Sequence, residues 1–523
     1  MLYKVTKVDG RRSAVMIERN NSLSRSASPA VLEPDENEKD DTKCLVEICE
    51  QQSLSVENEK TLGELLEGAG LGKGQFFMLS LQFLLAVMHM AAYLETTILI
   101  PYLRCEWNLN AGIEAAIGSV CPVCVTLSGV LLGNLADKVG RKPVLNFTTM
   151  GLLVGSIMIA AAPNVWLVMA ARVLQGFCIG LGYAVIYVYA TEIAENKYKE
   201  VAIFLVSLGA QLGGVFLSGL SYLVLNELGW RYFVVVVSVP FLFILLGDLL
   251  LPETPHFLLV CGKRAEAILV LKKIYKWNGI TFPESCTSVR EVSVEKAGNL
   301  SGLFLRQYRK PLILISLTYI ANLCLGLAFA VYLPLRSVNT NVTEAQNVDS
   351  VNTNKTETLC YNVLDGKALA ENILAFSGDI LGCVLTIMLA KKLQRRLLVT
   401  GFAAFSLLIT ISTPFDLNET VKQIFNLVFR LCMTGVRYPL KLFIVEVFPT
   451  NLKGTALAFV IAISEAGATI GSFLTYLLYP ISPAAVVGLF IGIAALHLVT
   501  SVLLSLTTKN RDKDLADPTA KQS

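Results

Sequence analysis

Charged side chains are scarce in this chain of 523 residues. Asp, Glu, Lys and Arg make up 16% of it, whereas hydrophobic residues make up 54%. A soluble globular protein carries about a quarter charged residues. The scarcity of charge therefore excludes an ordinary soluble domain and makes the long apolar runs the main structural signal.

The chain also lacks the groups that metal, redox and nucleotide chemistry require. It has three histidines, none at a metal-binding spacing, and its twelve cysteines form no metal-binding or redox framework. The stretch 70–75, Gly-Leu-Gly-Lys-Gly-Gln, has neither the spacing nor the Ser or Thr of a phosphate-binding loop. We therefore expect no enzymatic activity, no metal and no cofactor.

Apolar runs that are long enough to cross a bilayer recur along the chain. A helix needs about 20 mostly apolar residues to span the hydrocarbon core, and the runs lack the alternating pattern of barrel strands. Twelve segments qualify, at 76–101, 112–134, 143–162, 165–191, 201–225, 232–251, 311–334, 369–390, 397–413, 423–447, 454–479 and 483–506. The sequence therefore predicts an all-α membrane protein with twelve transmembrane helices.

Two short basic turns indicate that the protein consists of two similar halves. One turn follows the second apolar run, and the other follows the eighth. An offset of 254 positions aligns Arg141 of the first turn with Arg395 of the second, and it also aligns Glu192 with Glu446. The repeat predicts two pseudo-symmetric six-helix bundles, and membrane proteins built in this way usually move solutes.

The two halves set the domain boundaries that we predict. These are a mostly disordered cytosolic tail at 1–70, a first six-helix bundle at 71–251, a cytosolic linker with short helices at 252–310, a second bundle at 311–507 that includes an outer loop at 335–367, and a cytosolic tail at 508–523. Basic residues concentrate in the two turns and in the linker, and positively charged loops stay in the cytosol. Both termini are therefore predicted to be cytosolic.

The predicted outer loop contains two glycosylation sequons, at Asn341 and Asn354. The charge rule places this loop on the side where glycans are added, so we predict that both asparagines are modified. Cys105 and Cys360 are the cysteines predicted to lie on that outer side. A disulfide between them would tie the two halves together, and we do not expect one.

Four motifs, in this order, resemble signatures of the major facilitator superfamily of transporters. They are GNLADKVGRK at 133–142, RVLQGFCIG at 172–180, PETPHFLL at 252–259 and EVFPTNLK at 446–453. Within the superfamily the chain most resembles the synaptic vesicle glycoprotein 2-related proteins and the organic cation and anion transporters. The resemblance implies alternating access, in which the two bundles rock about a central solute site.

Polar and ionisable side chains inside the predicted spans are the candidates for that site. A charge at the bilayer centre costs at least about 2.5 kcal/mol, so such residues usually face a cavity or a partner. The candidates for substrate binding are Glu95, Gln211, Asp379, Arg437, Lys441 and Glu465. Counted along their helices at about 1.5 Å per residue, Asp379, Arg437 and Glu465 lie near the bilayer midplane. Whether the two cations contact the substrate or neutralise the acids is left open by the sequence.

Glu465 is the residue that bears most directly on the charge of the substrate. The offset of 254 positions pairs it with Gln211, so the second half carries an acid where the first has a neutral amide. Its position resembles that of an Asp associated with cation recognition in organic cation transporters. We therefore favour a cationic or zwitterionic solute, although Arg430, Arg437 and Lys441 form a basic stripe on one helix face that points to an anion.

A second group of charges is predicted to control access to the site. Asp137 and Arg141 can pair with charges at the cytosolic ends of the fourth and fifth helices, or of the tenth and eleventh, and so hold an inner gate shut. The residues assigned to gating are Asp137, Arg141, Arg172, Glu192 and Glu446. An acid is poorly suited to anchoring a loop in the cytosol, which favours a gating role for Asp137.

These observations predict a secondary-active or facilitative carrier of a small organic ion, embedded as a monomer in the plasma membrane or in a vesicle membrane. Its partners would be a charged small solute and the lipid bilayer, without nucleic acid. Two alternatives remain, a non-transporting synaptic-vesicle-type membrane glycoprotein and an organic anion carrier. Lys391, which stands where an acid would match Asp137, slightly favours the glycoprotein.

Overall fold

The computed structural model describes residues 3–8, 11–16, 59–132, 135–283, 288–289, 300–348, 366–390, 392–415, 418–448 and 450–516. It consists of two units, Met1–Asn58 and Glu59–Ser523. In the first unit, β1 (Tyr3–Val8) pairs with β2 (Arg11–Met16) in an antiparallel hairpin. The tail that we predicted to be mostly disordered therefore contains a hairpin at its start, and residues 17–58 lie outside the described part.

The first half of the second unit is built from helices. In chain order they are α1 (Leu62–Ala69), α2 (Lys73–Trp107), α3 (Ala111–Leu132), α4 (Leu135–Val139), α5 (Arg141–Ala160), α6 (Val165–Ile193), α7 (Lys199–Leu228) and α8 (Trp230–Leu250). A short 3-10 turn at Asn196–Tyr198 joins α6 to α7. The six long helices of this half occupy the first six predicted spans.

Short elements fill the segment between the halves. They are α9 (Pro255–Val260), α10 (Arg264–Asn278) and a 3-10 turn at Leu300–Phe304. Strand β3 (Glu59–Lys60), which precedes α1, pairs in parallel with β4 (Ser288–Val289). The chain before the first half and the segment after it are thus joined by backbone pairing.

The second half contains six long helices. They are α11 (Arg306–Val348), α12 (Gly366–Ala390), α13 (Arg395–Ser412), α14 (Glu419–Val447), α15 (Thr450–Leu478) and α16 (Pro483–Ala516). Every one of the twelve predicted spans therefore corresponds to a long helix. The all-α architecture that the sequence predicted is confirmed.

Helix α11 is longer than the predicted span. We placed the start of an outer loop at residue 335, but the helix continues to Val348. The continuation is polar, so a prediction based on apolar runs ends the helix where the polarity begins. Asn341 lies in this continuation and Asn354 lies outside the described residues. Glycosylation of both stays a prediction.

Helix α14 differs from the other long helices in its polarity. Eleven described helices are long and apolar enough to cross a membrane, and α14 is not among them. It has 29 residues, which is ample length at about 1.5 Å per residue, but it carries Arg430, Arg437 and Lys441. Its charge, rather than its length, sets it apart, and such a helix must direct these side chains away from lipid.

A glycine sets the start of α5. Gly140 has a φ of 113°, a conformation that L side chains rarely adopt, and a Cβ there would lie 2.3 Å from a carboxylate oxygen of Glu253. Glu253 accepts a hydrogen bond from the backbone N–H of Arg141 at 3.0 Å, which satisfies a donor that the helix start leaves unpaired. The basic turn and the segment after α8 therefore meet at one carboxylate.

The two halves pack on each other through small residues. Helix α3 contacts α15, and α7 contacts α12. A Cβ on Gly129 of α3 would lie 2.9 Å from the Cβ of Ala462 on α15, and a Cβ on Gly214 of α7 would lie 2.4 Å from the Phe376 ring on α12. Close approach of backbones at small residues is the usual basis of helix association in membranes.

Packing inside the second half depends on glycine in the same way. A Cβ on Gly467 of α15 would lie 2.2 Å from the carbonyl oxygen of Ile320 on α11. We expect Gly467→Ala to lower the melting temperature of the detergent-solubilised protein, because such overpacking costs about 1–3 kcal/mol. The matched control is Gly488→Ala on α16, where a Cβ meets nothing within 4 Å. A Gly467→Ala protein as stable as that control would show that α11 and α15 are not held this closely.

Candidate functional site

A buried ion pair lies inside the first half. Glu95 of α2 and Arg172 of α6 are both fully buried, with Oε2 and Nη2 3.3 Å apart. Arg172 Nη1 also donates to the carbonyl oxygen of Ala92 at 2.7 Å and to Oε1 of Gln175 at 3.0 Å. The Glu95 oxygens accept no hydrogen bond from the described residues, so Arg172 neutralises this acid by charge alone. The structure thus joins a predicted substrate residue to a predicted gating residue.

A second buried ion pair lies inside the other half. Asp379 of α12 accepts a hydrogen bond from Arg430 Nη2 on α14 at 2.5 Å and from the Thr434 hydroxyl at 2.5 Å. The Arg430 guanidinium lies 4.2 Å from the centre of the Phe376 ring, a favourable cation–π distance. Arg430 is therefore the partner of Asp379, and Arg437 and Lys441 are not needed to neutralise it.

Glu465 makes a contact that joins the two halves. The Tyr93 hydroxyl on α2 donates to Oε2 of Glu465 on α15 at 2.8 Å. Arg437 of α14 is near enough to interact electrostatically with this carboxylate, although the two side chains form no ion pair in the described structure. Arg437 instead donates from Nε to Oδ1 of Asn322 on α11 at 3.2 Å. An acid and a cation thus face the same region without neutralising each other directly.

A further cation of α14 lies against an aromatic ring. Lys441 Nζ is 4.8 Å from the centre of the Tyr187 ring on α6. The Tyr187 ring packs against that of Tyr183 with 5.3 Å between their centres, and the Tyr187 hydroxyl lies 3.2 Å from Oγ of Ser207. Lys441 makes no ion pair with the described residues, so the face of the Tyr187 ring is what stabilises its positive charge there.

We call six of the side chains in these last two groups the central cluster. It consists of Tyr93, Tyr187, Asn322, Arg437, Lys441 and Glu465, contributed by α2, α6, α11, α14 and α15. All of them except the buried Asn322 are half-buried, whereas Glu95, Arg172, Asp379 and Arg430 are buried. The charges of the central cluster therefore differ from those of the two ion pairs in being partly accessible.

Sequence reasoning missed three members of the central cluster. Tyr93, Tyr187 and Asn322 stand inside apolar runs, where an isolated aromatic or amide normally indicates packing. A signal was present in the tyrosines at positions 183 and 187, which are one helical turn apart and so share a face. Gln211, which we predicted to bind substrate, is buried and makes no side-chain hydrogen bond to the described residues.

The first basic turn forms its own network at the predicted cytosolic end. Arg141 Nη2 lies 3.0 Å from Oδ1 of Asp137 and 3.0 Å from Oε1 of Glu192 at the end of α6. The Thr254 hydroxyl donates to Glu192 Oε2 at 2.5 Å. The sequence suggested partners on the fourth and fifth helices or on the tenth and eleventh, and the described contact of Arg141 reaches Glu192 on the fourth. The side chain of Glu446 lies outside the described part.

One cysteine of the described residues is bonded. Cys105 at the end of α2 is disulfide-bonded, whereas our expectation concerned only a bond between Cys105 and Cys360 and stays a prediction. The seven cysteines that the structure describes as free are Cys121, Cys124, Cys178, Cys261, Cys324, Cys383 and Cys432. Cys360 lies outside the described residues. The described residues also contain no group of three or more His, Cys, Asp or Glu that could hold a metal ion.

Comparison with known proteins agrees with this geometry. Residues 78–517 match the sugar (and other) transporter family, so the chain belongs to that family of the major facilitator superfamily. It is 26% identical over 460 residues to the synaptic vesicle 2-related protein of Bos taurus, covering 86% of this chain and 81% of that protein. It is 23% identical over 478 residues to svop-1 of Caenorhabditis elegans, covering 90% of each.

A solved structure shows the same fold. The partially occluded inward open conformation of the xylose transporter XylE from E. coli matches with a TM-score of 0.61 and 16% identity, covering 83% of this chain and 99% of that one. At this identity the likeness concerns the fold. The resemblance to the major facilitator superfamily that the motifs indicated is confirmed.

The two arginines of α14 should differ in their contribution to stability. Arg430→Met leaves Asp379 buried without its cation, which typically costs about 3–5 kcal/mol. The double variant Asp379→Asn/Arg430→Met removes both charges and should recover much of that loss. Arg437→Met removes one hydrogen bond from a charged donor and should cost less, about 1.5–3 kcal/mol. Thermal unfolding in detergent measures all three, and equal losses for Arg430→Met and Arg437→Met would contradict the assignment.

Proposed function

We propose that this protein is a carrier of a small zwitterionic organic solute that works by alternating access. The observation that supports this most directly is the hydrogen bond from Tyr93 to Glu465. It joins an acid of the second half to the first half, and residue counting predicts that this acid lies near the bilayer midplane, where carriers of this fold hold their substrate. A solute bound there touches both halves, and its binding energy can therefore favour one arrangement of the halves over another.

The charges of the central cluster support a zwitterion. Glu465 provides a carboxylate for an amine, and Arg437 and Lys441 provide cations for an acid group. The ion pairs Glu95–Arg172 and Asp379–Arg430 are each neutral overall and are buried. A solute with an amine at one end and an acid at the other would satisfy all three cluster charges, which are costly to leave unpaired in a membrane.

The transport cycle that we propose begins with solute entering between the halves. Its amine would displace the Tyr93 hydroxyl from Glu465, and its acid group would bind Arg437 and Lys441. Loss of the Tyr93–Glu465 bond would free α2 from α15, and the halves could then rock about the bound solute. Asp137, Arg141 and Glu192 would act at the inner end by fixing the geometry of the first basic turn.

An organic anion is the second candidate substrate. Arg437 and Lys441 outnumber Glu465, so an anion alone would also be attracted to the cluster. A non-transporting membrane glycoprotein remains the rival from another class. We further propose that the protein is a monomer, that both termini are cytosolic, and that the membrane is that of a vesicle or the cell surface, because the basic turns and the synaptic-vesicle-related relatives favour this arrangement.

Uptake into proteoliposomes tests the proposed function. The wild-type protein is offered a panel of labelled organic zwitterions, cations and anions. We expect it to take up a zwitterion. Glu465→Gln should lower this uptake about ten- to hundredfold, because hydrogen bonds to charged groups contribute about 1.5–3 kcal/mol. The matched control is Glu227→Gln, which changes an exposed glutamate at the end of α7 and should leave uptake unchanged.

Each possible outcome separates the candidates. Anion uptake that Glu465→Gln leaves intact and Arg437→Gln abolishes would replace the zwitterion with an organic anion. Zwitterion uptake that Glu465→Gln leaves intact would remove Glu465 from recognition. Wild-type protein that moves no member of the panel under any pH or ion gradient would overturn the carrier proposal in favour of the glycoprotein.

Position 93 allows a test of the cross-half hydrogen bond itself. Tyr93→Phe keeps the ring but removes the hydroxyl that bonds Glu465. We expect solute affinity to rise or stay equal, since the solute no longer competes with an internal donor, while the maximal rate changes because closure of the halves is altered. Saturation curves in the same liposomes measure both values. A loss of affinity as large as that in Glu465→Gln would instead make Tyr93 a direct solute ligand.

A further inference from the structure

We propose that the predicted cytosolic surface carries a binding pocket for the phosphate headgroup of an anionic phospholipid. The pocket has a volume of about 480 Å³ and lies between the start of α2, the end of α8 and helix α10. Its lining residues are Lys73, Gly74, Phe77, Leu250, Lys273 and Trp277. None of these takes part in the central cluster, so the proposal does not depend on the transported solute.

The polar side of the pocket is wholly cationic. Lys73 and Lys273 are exposed, and no acid lines the pocket. Lys273 Nζ donates one hydrogen bond to the Leu250 carbonyl oxygen at 3.3 Å and lies 4.7 Å from the centre of the Trp277 ring. An ammonium group has three donors, so two remain for an anion. Lys276 is exposed one helical turn further along α10 and adds to the positive field.

The apolar side of the pocket is suited to acyl chains. The Phe77 and Trp277 rings meet edge to face with 6.3 Å between their centres, and aromatic rings of this kind concentrate at the membrane interface. Leu250, at the end of α8, is 63% exposed, and Leu246, one turn away, is 54% exposed. The lysines therefore lie at headgroup level, directly beside an apolar surface that faces the hydrocarbon.

The pocket is held in place by hydrogen bonds behind it. The Asn278 side chain at the end of α10 accepts from the backbone N–H of Gly74 at 2.9 Å and donates to the Ala69 carbonyl oxygen at 2.9 Å. A Cβ on Gly74 would lie 2.8 Å from the Cβ of Trp277, so α10 and α2 approach as closely as a glycine allows. The site is thus preformed, which lowers the entropy cost of binding a headgroup.

Anionic lipid is the occupant that this chemistry favours. Two lysines that line one pocket attract a phosphate, and basic residues next to a membrane favour an anionic lipid surface. Free phosphate would satisfy the lysines but would leave Phe77, Leu250 and Trp277 in contact with water. A phospholipid satisfies both sides of the pocket at once.

Native mass spectrometry of the purified full chain tests the proposal. Delipidated protein is titrated with dioctanoyl phosphatidylserine, dioctanoyl phosphatidylcholine and inorganic phosphate. We expect phosphatidylserine to bind more tightly than the other two ligands. In Lys73→Gln/Lys273→Gln the affinity for phosphatidylserine should fall by at least about tenfold. The matched control is Lys138→Gln/Lys197→Gln, which removes the same charge from the same side and should bind as the wild type does.

The other outcomes of this titration contradict the proposal. Equal affinity of phosphatidylserine for the wild type and for Lys73→Gln/Lys273→Gln would remove the pocket as the site. Phosphatidylcholine that binds as tightly as phosphatidylserine would show that charge does not select the ligand. Inorganic phosphate that binds as tightly would make the ligand a free anion. An unchanged melting temperature of the lipid-free variant shows that a loss of binding is not a loss of fold.

Discussion

The cost of a charge in hydrocarbon governs how this protein is arranged. Each half brings an acid and an arginine into the membrane and pairs them within itself, Glu95 with Arg172 and Asp379 with Arg430. Because these pairs are closed inside a half, neither depends on where the other half lies. Each bundle can therefore keep its internal electrostatics while its position changes. Glu465, Arg437 and Lys441 are not paired within a half in this way, and they lie between the halves.

The hydrogen bond between the halves differs from the apolar packing between them in being directional. Glycine and alanine let α3 approach α15 closely, and such contacts slide with little loss because they have no direction. The hydrogen bond from Tyr93 to Glu465 is directional and is made or broken as a unit. A carrier needs both kinds of contact, since apolar surfaces permit movement and a few directional bonds distinguish one arrangement from another.

The sequence predicted the twelve helices because apolar run length determines them. It did not predict partners. Arg430, Arg437 and Lys441 share one helix face, and which of them meets Asp379 depends on the rotation and tilt of α14 against α12, which only packing sets. Tyr93 was missed because a tyrosine in an apolar run has the same appearance whether it packs or donates. Helix α11 continues past the predicted span because polarity does not stop a helix.

The segment between the halves begins with a stretch that is attached to the first half. The attachment is made by the contacts of Glu253 and Asn278. Glu253 binds the backbone at the start of α5, and Asn278 binds that of α2. Hydrogen bonds near both ends therefore fix the stretch from residue 252 to residue 278 to the first bundle. This stretch is therefore a rigid extension of the first bundle and not a flexible linker. A protein or lipid that grips α10 would pull on the whole first bundle.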